Sequence, residues 1–231
     1  MITNLNGREP AGRGPVLYWM SRDQRVRDNR ALEYAAMRGM EENRGLAVLF
    51  CLADGFLGAP LRAYDFMFGG LRETAAGLEE MGVPFFLLEG DPGLRVPAFA
   101  GETEASLVVT DFDPLKPKRA WTRAAADRMK APLFETDAHN IVPCREVSDK
   151  AEFAARTLRP KIMRLLEARL AEKPAAGIGE ISRAGRAARE NRSPAGAGGL
   201  GRRAGAARAG LRGACRGLAP PGARGSPAGP G

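Results

Sequence analysis

Five short apolar runs constrain the fold of this chain more than any other feature of its sequence. They lie at residues 16–20, 46–52, 84–88, 107–110 and, more weakly, 132–135. Within each run the apolar residues are continuous instead of alternating with polar ones, which indicates strands that are buried on both faces. The runs therefore predict a sheet that is covered by helices on both sides.

The segments between these runs show helical periodicity. Helices are predicted over residues 29–44, 64–78 and 116–129, with Gly82 ending the second, while the glycine- and proline-rich residues 91–104 are predicted to form a loop. Strands that alternate with helices at this spacing indicate a parallel sheet with right-handed crossovers. We expect an α/β, Rossmann-like fold with five parallel strands over residues 14–145, and ligands at the carboxyl ends of the strands.

The composition changes near residue 173. Residues 174–231 contain 15 Gly, 15 Ala, 10 Arg and 6 Pro, with no aromatic residue, Lys or Asp. Such a segment has too little apolar area to offset the entropy of ordering it. A disordered tail is predicted here, after a helical linker over residues 146–173, and residues 1–13 are also predicted to be disordered. A frameshift near residue 173 is favoured as the origin of the tail, and a genuine nucleic-acid-binding segment is the alternative.

The basic charge of the chain belongs to the tail. The tail carries 10 Arg against Glu180 and Glu190, a net charge of +8, and the remaining 25 basic and 25 acidic residues of the chain balance. The isoelectric point near 9.9 therefore describes the tail. A nucleic-acid partner does not follow from the charge of the folded part.

The cysteines and the single histidine exclude several kinds of site. Cys51, Cys144 and Cys215 form no CxxC pair, and His139 has no second histidine, so no metal site and no catalytic residue are predicted. His139 is instead expected to hold the segment after the fifth strand by hydrogen bonds. With no signal peptide and no apolar run long enough to span a membrane, a cytoplasmic monomer is expected.

The turn after the first strand, residues 21–29, has no glycine, which argues against a dinucleotide-binding dehydrogenase. Two interpretations of its arginines remain. They pair with Asp23 and Asp28 and fix the loop, or Arg22 or Arg25 reaches an anionic ligand.

The fourth strand ends in a carboxylate and an aromatic ring, Asp111 and Phe112, a combination that suits a flat heterocycle. Asp113, before Pro114, is expected to cap the next helix. The candidate ligand-binding residues are Met20, Arg22, Asp54, Asp111 and Phe112.

Four segments resemble the amino-terminal domain of class II DNA photolyases. They are residues 16–32 (VLYWMSRDQRVRDNRAL), 109–112 (VTDF), 137–143 (DAHNIVP) and 156–162 (RTLRPKI). The resemblance extends from residue 14 to about residue 173. It implies that the sheet domain carries a light-harvesting antenna chromophore, a deazaflavin or a folate.

The same resemblance implies a whole enzyme that repairs cyclobutane pyrimidine dimers in DNA with light and reduced FAD. In this family FAD and damaged DNA bind a helical carboxyl-terminal domain, in whose place this sequence has the tail. The chain is therefore expected to be a deoxyribodipyrimidine photo-lyase truncated to its antenna domain and inactive alone. The alternative is a non-enzymatic module that binds a small heterocycle and carries a basic nucleic-acid-binding tail.

Overall fold

The sheet of this protein has six strands, in the order β1-β6-β5-β2-β3-β4. A computed structural model describes residues 2–137, 139–150, 152–171 and 181. Strands β2 to β6 are parallel, and β1 pairs with β6 in the antiparallel direction. The strands are β1 (Ile2–Asn4), β2 (Val16–Met20), β3 (Leu46–Leu52), β4 (Phe85–Glu89), β5 (Leu107–Asp111) and β6 (Leu133–Thr136).

Helices cover both faces of the sheet, as the continuous apolar strands predict. They are α1 (Arg30–Glu41), α2 (Leu61–Glu80), α3 (Pro92–Glu102), α4 (Lys116–Arg128), α5 (Cys144–Val147) and α6 (Ala155–Ala171), with a 3₁₀ turn at Phe56–Gly58. The α/β fold is confirmed, and the five predicted strands are all present.

Two apolar layers flank the sheet because successive side chains of a strand point to opposite faces. On one face Tyr18 and Met20 of β2 pack with residues of α1 and α2. On the other face Leu17 and Trp19 pack with residues of α3 and α4. Trp19 is 3% exposed and is a packing residue of this layer.

Helix α3 occupies residues that were predicted to be a loop, so that prediction is wrong. The Asp91 side chain accepts a hydrogen bond from the Gly93 amide at 2.7 Å, and Pro92 takes the first helical position, where its missing N–H costs nothing. A Cβ on Gly93 would lie 2.9 Å from the Ala124 Cβ, so this glycine allows α3 and α4 to pack closely. Glycine and proline serve here as a helix start and a packing contact, not as loop residues.

The amino terminus also differs from its prediction, because residues 2–4 form the sixth strand instead of a disordered segment. The pairing continues beyond the strand, where the Leu5 amide donates to the Leu133 carbonyl at 2.8 Å. A Cβ on Gly12 would lie 2.2 Å from the Ala105 carbonyl oxygen, so the backbone runs directly against the end of α3. Main-chain hydrogen bonds to the β6 edge order this polar segment without requiring apolar side chains.

The linker helix α6 starts at Ala155, inside the linker predicted over residues 146–173. Ile162, Leu165 and Leu166 of its apolar stripe are half-buried. Ile181, which falls within the predicted tail, is 1% exposed and belongs to the core layer beside α1 and α2. The other residues of the predicted tail lie outside the described part of the chain.

Candidate functional site

The sheet has one topological switch point, between β2 and β5. From β2 the chain moves outwards through β3 and β4, then crosses to the other side of β2 and continues through β5 and β6. In doubly wound sheets the crevice for ligands lies at this point, outside the carboxyl ends of the strands. The residues that follow β2, β3 and β5 therefore define the candidate site.

On the α1 and α2 face of this edge, a buried carboxylate organises the turn after β2. Asp111 Oδ1 accepts a hydrogen bond from the Tyr18 hydroxyl at 2.7 Å. Asp111 Oδ2 accepts from the backbone amides of Ser21, Arg22 and Asp23 at 2.9, 2.9 and 3.2 Å. A carboxylate has about four acceptor positions, so this one is fully used within the fold.

Asn29 completes the same network from the start of α1. Its amide nitrogen donates to the Tyr18 hydroxyl and to the carbonyls of Asp23 and Arg25, each at 3.0 Å. Its side-chain oxygen accepts from the Leu32 amide at 3.0 Å and so caps α1. The turn that lacks glycine is therefore fixed by side chains that satisfy its backbone groups.

Burial controls the ionisation of the two groups at the centre of this network. It raises the pKa of the Asp111 carboxyl, against the opposing effect of the hydrogen bonds that it accepts. Burial and the neighbouring Asp111 raise the pKa of the Tyr18 phenol well above its usual value. Tyr18 is therefore a hydrogen-bond donor, and not a phenolate, at any physiological pH.

Of the three arginines in this turn, Arg25 contributes most to fixing it. The Arg25 guanidinium lies 3.9 Å from Asp23 Oδ1 and donates to the Asp28 carbonyl at 3.0 Å. The predicted pairing of arginines with aspartates is therefore present at one residue, and Asp111 and Asn29 supply most of the hydrogen bonds.

On the α3 and α4 face of the same edge lies a half-buried lysine in an aromatic setting. Lys118, in the first turn of α4, has its Nζ 3.1 Å from Ser21 Oγ. The same Nζ lies 5.2 Å from the centroid of the Phe56 ring and 5.4 Å from that of the Trp121 ring. The two rings are 5.5 Å apart and inclined at 42°. A cation, a hydroxyl and two aromatic rings therefore meet at the switch point.

Burial also governs the charges around this lysine. It lowers the pKa of Lys118, while the negative charges of Asp113 and Asp111 oppose that effect. Burial raises the pKa of Cys51, at the end of β3, to about 12, so its thiol stays protonated and points to the Gly90 carbonyl at 3.6 Å. Lys118 therefore supplies the positive charge at this site, and the neighbouring Cys51 thiol is unreactive.

The structure places the predicted ligand residues at three positions along the edge. Met20, Arg22 and Asp111 are adjacent at the junction of β2 and β5, where Met20 is fully buried. Phe112 lies farther along, towards β6, and Asp54 is exposed on the turn that follows β3. Phe112 and Asp54 are thus separated from the other three along the edge, and the role of all five residues in binding stays a prediction.

Phe112 has its own partner at the β6 end. The Arg145 guanidinium lies 5.5 Å from the Phe112 ring centroid and forms an ion pair with Glu135. Burial raises the pKa of Glu135, while Arg145 acts in the opposite direction. Phe112 lines a shallow cleft with these two residues and the edge strand β1.

Sequence reasoning did not identify Lys118, Phe56 or Trp121 as site residues. Lys118 lies in a strongly basic helical segment, residues 116–119, whose pattern reads as a solvated face. The feature that could have identified Lys118 is its position in the first turn of the helix that follows β5, a strand beside the switch point. Asp113 does not cap α4 as predicted, because the N-cap residue is Leu115 and no side chain caps this helix. Asp113 Oδ1 instead accepts from the Leu115 amide at 3.0 Å and so closes the turn just before the helix.

His139 and Asp137 attach the segment after β6 to this edge. His139 Nδ1 lies 3.0 Å from Asp23 Oδ1, and Asp137 accepts hydrogen bonds from Asn140 and from the Cys144 amide. The prediction that His139 holds this segment by hydrogen bonds is confirmed.

In the described residues, no group of three or more His, Cys, Asp or Glu side chains is arranged to hold a metal ion. No helix among them is long and apolar enough to cross a membrane.

The fold and its polar carboxyl edge define a doubly wound α/β protein of the Rossmann-like class. The family model described as DNA photolyase matches residues 16–177. This chain belongs to the DNA photolyase family, and the matched residues correspond to its amino-terminal portion.

Curated relatives give the same assignment. The chain is 46% identical over 160 residues to a deoxyribodipyrimidine photo-lyase of Potorous tridactylus, covering 68% of this chain and 30% of the relative. For the Arabidopsis thaliana protein of that name the identity is 44% over 163 residues, with 70% and 33% covered. For that of Methanothermobacter thermautotrophicus it is 37% over 167 residues, with 72% and 37% covered. The chain thus spans about a third of the length of these relatives.

Proposed function

We propose that residues 14–145 form the light-harvesting domain of a deoxyribodipyrimidine photo-lyase and that the residues after 145 begin the linker to the rest of that enzyme. The observation that carries this proposal is the family match over the α/β domain and the linker helix, together with relatives that bear this name. The complete enzyme would split cyclobutane pyrimidine dimers in damaged DNA with light and reduced FAD. FAD and DNA would bind the part of the relatives' length that this chain does not match.

The chromophore of this domain would bind at the switch point. A flat heterocycle needs aromatic surface on its faces and a few polar groups at its rim. Phe56 and Trp121 offer the rings, and Ser21 and Lys118 offer the polar groups. A deazaflavin or a folate has the required shape.

The five residues at the strand ends would act around this site. Met20 and Asp111 would support the turn after β2 from inside the core, because both are buried. Arg22, Asp54 and Phe112 are at least partly exposed and would contact the ligand or its substituents. Asp111 would act through the turn that it holds, since its acceptor positions are occupied by Tyr18 and three backbone amides.

A binding and repair assay tests this proposal. The purified chain is titrated with a 5-deazaflavin and with methenyltetrahydrofolate, and binding is followed by fluorescence polarisation. The same protein is then mixed with reduced FAD and an oligonucleotide carrying a thymine dimer, under blue light. We expect saturable binding of one chromophore and no repair by this chain alone. Absence of binding to both chromophores, or efficient repair, contradicts the proposal.

A further inference from the structure

Helix α4 and the two residues after it are far more basic than the rest of the domain. Residues 116–130 contain six Lys and Arg residues and one acid, Asp127. The other residues from 1 to 173 contain 19 basic and 24 acidic side chains. The net charge of zero over residues 1–173 therefore hides a separation of charge, in which one segment is strongly positive and the remainder is negative.

Three of these basic residues form a row on the outer side of α4. Lys116, Arg119 and Arg123 are spaced three and four residues apart, so they lie on one side of the helix, and all three are exposed. The core side of the helix carries Trp121 and Ala125, which pack in the apolar layer. With a rise of about 1.5 Å per residue, the row is roughly 10 Å long. We call these three residues the α4 basic face.

The α4 basic face has no acidic partner among the described residues. Its three side chains take part in none of the ion pairs found there, and Asp127, four residues after Arg123, does not pair with it. Helix α1 shows the usual arrangement, in which Arg38 pairs with Glu41 and Glu42. The charges of the α4 basic face are therefore available to a partner outside this domain.

The position of these charges does not help the helix to form. The first turn of α4 contains Lys116, Lys118 and Arg119 and no acid. Cations near a helix N-terminus oppose the helix dipole, and like charges three or four residues apart repel each other. Because folding gains nothing from this arrangement, it favours a role in binding.

We propose that the α4 basic face contacts the phosphate backbone of duplex DNA. The one other residue within the row, Ala120, is small, so the face lacks the large apolar side chains that protein interfaces and membrane-surface helices bury. Interfaces with DNA are instead polar and strongly positive, and arginine pairs well with phosphate. This inference rests on the proposed function, which supplies DNA as the partner. It adds a DNA contact in the sheet domain itself, apart from the region of the enzyme that would bind the lesion.

The salt dependence of DNA binding tests this contact. The full chain is titrated onto a fluorescein-labelled, undamaged duplex, and polarisation is followed from about 50 to 200 mM salt. The variant Lys116→Gln/Arg119→Gln/Arg123→Gln should bind roughly tenfold more weakly. The slope of the logarithm of affinity against the logarithm of salt concentration should become shallower by about 2 to 3, because each phosphate contact contributes about 0.9. The basic tail is the same in every protein compared, so its own binding does not produce this difference.

A second variant removes the same charge from other surfaces. Arg62→Gln/Arg159→Gln/Arg164→Gln changes three exposed arginines of α2 and α6. It should alter the slope by less than about 1. Thermal unfolding separates binding from structure, since the α4 variant should be as stable as the wild-type protein or more stable, with less repulsion along the helix.

The outcomes separate this contact from the proposed function. A shallower slope in the α4 variant alone supports the contact. An unchanged slope in that variant, or an equal change in the control variant, overturns it. It is also overturned if the α4 variant loses affinity for phosphatidylglycerol vesicles but keeps its affinity for DNA. Titration of the wild-type protein with the two chromophores decides the light-harvesting function independently, because the α4 variant leaves the switch point intact.

Discussion

Two charged groups at the same edge of the sheet, one buried and one half-buried, differ in the hydrogen-bond partners that surround them. On the α1 and α2 face, the Asp111 carboxylate accepts four hydrogen bonds, from one phenol and three backbone amides. On the α3 and α4 face, the Lys118 ammonium has Ser21 Oγ and two aromatic rings. Both charges lie beside the switch point, and burial disfavours the charged form of each.

The difference separates a structural charge from a charge available to a ligand. A buried charge is tolerated when directional partners replace the water that it has lost. Asp111 has such partners from the fold itself, and they hold the turn after β2 in one conformation. Lys118 has them only in part, and its half-buried position leaves the ammonium accessible to solvent or to a ligand. Substitutions at Asp111, Tyr18 and Lys118 test this contrast.

Asp111→Ala should be the most destabilising of these changes. It leaves the Tyr18 hydroxyl and the amides of the turn without their acceptor, and each unsatisfied buried donor costs about 1–3 kcal/mol. We expect the free energy of unfolding to fall by roughly 3 kcal/mol or more, measured by urea denaturation. Asp113→Ala, which removes one turn hydrogen bond in the same connection, is the control and should cost about 1 kcal/mol. Equal losses at the two positions would contradict a structural role specific to Asp111.

Tyr18→Phe removes one donor to Asp111 and keeps the ring. The loss should be about 1–2 kcal/mol, smaller than for Asp111→Ala because the three backbone amides remain. The pH dependence adds a second measurement. Because the folded pKa of Tyr18 lies above the unfolded value of 10.0, its contribution is present below that pH and is lost as the pH rises through the folded pKa. The wild-type protein should therefore lose stability above pH 10 relative to the variant. If the free energies of unfolding of the two proteins change equally with pH, the phenol is not held by the network.

Lys118→Met should have the smallest effect at neutral pH, within about 1 kcal/mol, because relief from burying a charge offsets the lost contacts. The folded pKa of Lys118 lies below the unfolded value of 10.5. Its contribution is therefore present above 10.5 and is lost as the pH falls through the folded pKa. The stability of the wild-type protein relative to the variant should rise as the pH approaches 10.5, as thermal unfolding between pH 7 and 10.5 would show. A loss as large as that of Asp111→Ala would place Lys118 among the structural charges.

The fold was predictable where the apolar pattern of the sequence was clear, and less so elsewhere. Continuous apolar runs marked β2 to β6 within about one residue, because a strand buried on both faces has no polar alternation to confuse it. Strand β1 was missed because Ile2–Asn4 is an edge strand held by main-chain hydrogen bonds to β6. Helix α3 was missed because Pro92 and Gly93 resemble loop residues when the packing of Gly93 against Ala124 is unknown.

The site was less predictable than the fold. Asp111 was recognised as a polar group at a strand end, but the sequence cannot show that its acceptors are used by Tyr18 and the turn. Lys118 and Phe56 are 62 residues apart, and only the parallel arrangement of β2, β3 and β5 brings their segments together. Their contact depends on which way α4 faces, a matter of packing between layers.

The sequence by itself determined the class of fold, the family and the edge at which polar residues gather. Local apolar patterns decide which segments are buried, and parallel connections decide which strand ends meet. Only the tertiary structure decided which of the charged groups at that edge have their hydrogen-bond partners within the fold. That property depends on distances between side chains from different segments, such as the 2.7 Å between Tyr18 and Asp111 and the 3.1 Å between Lys118 and Ser21.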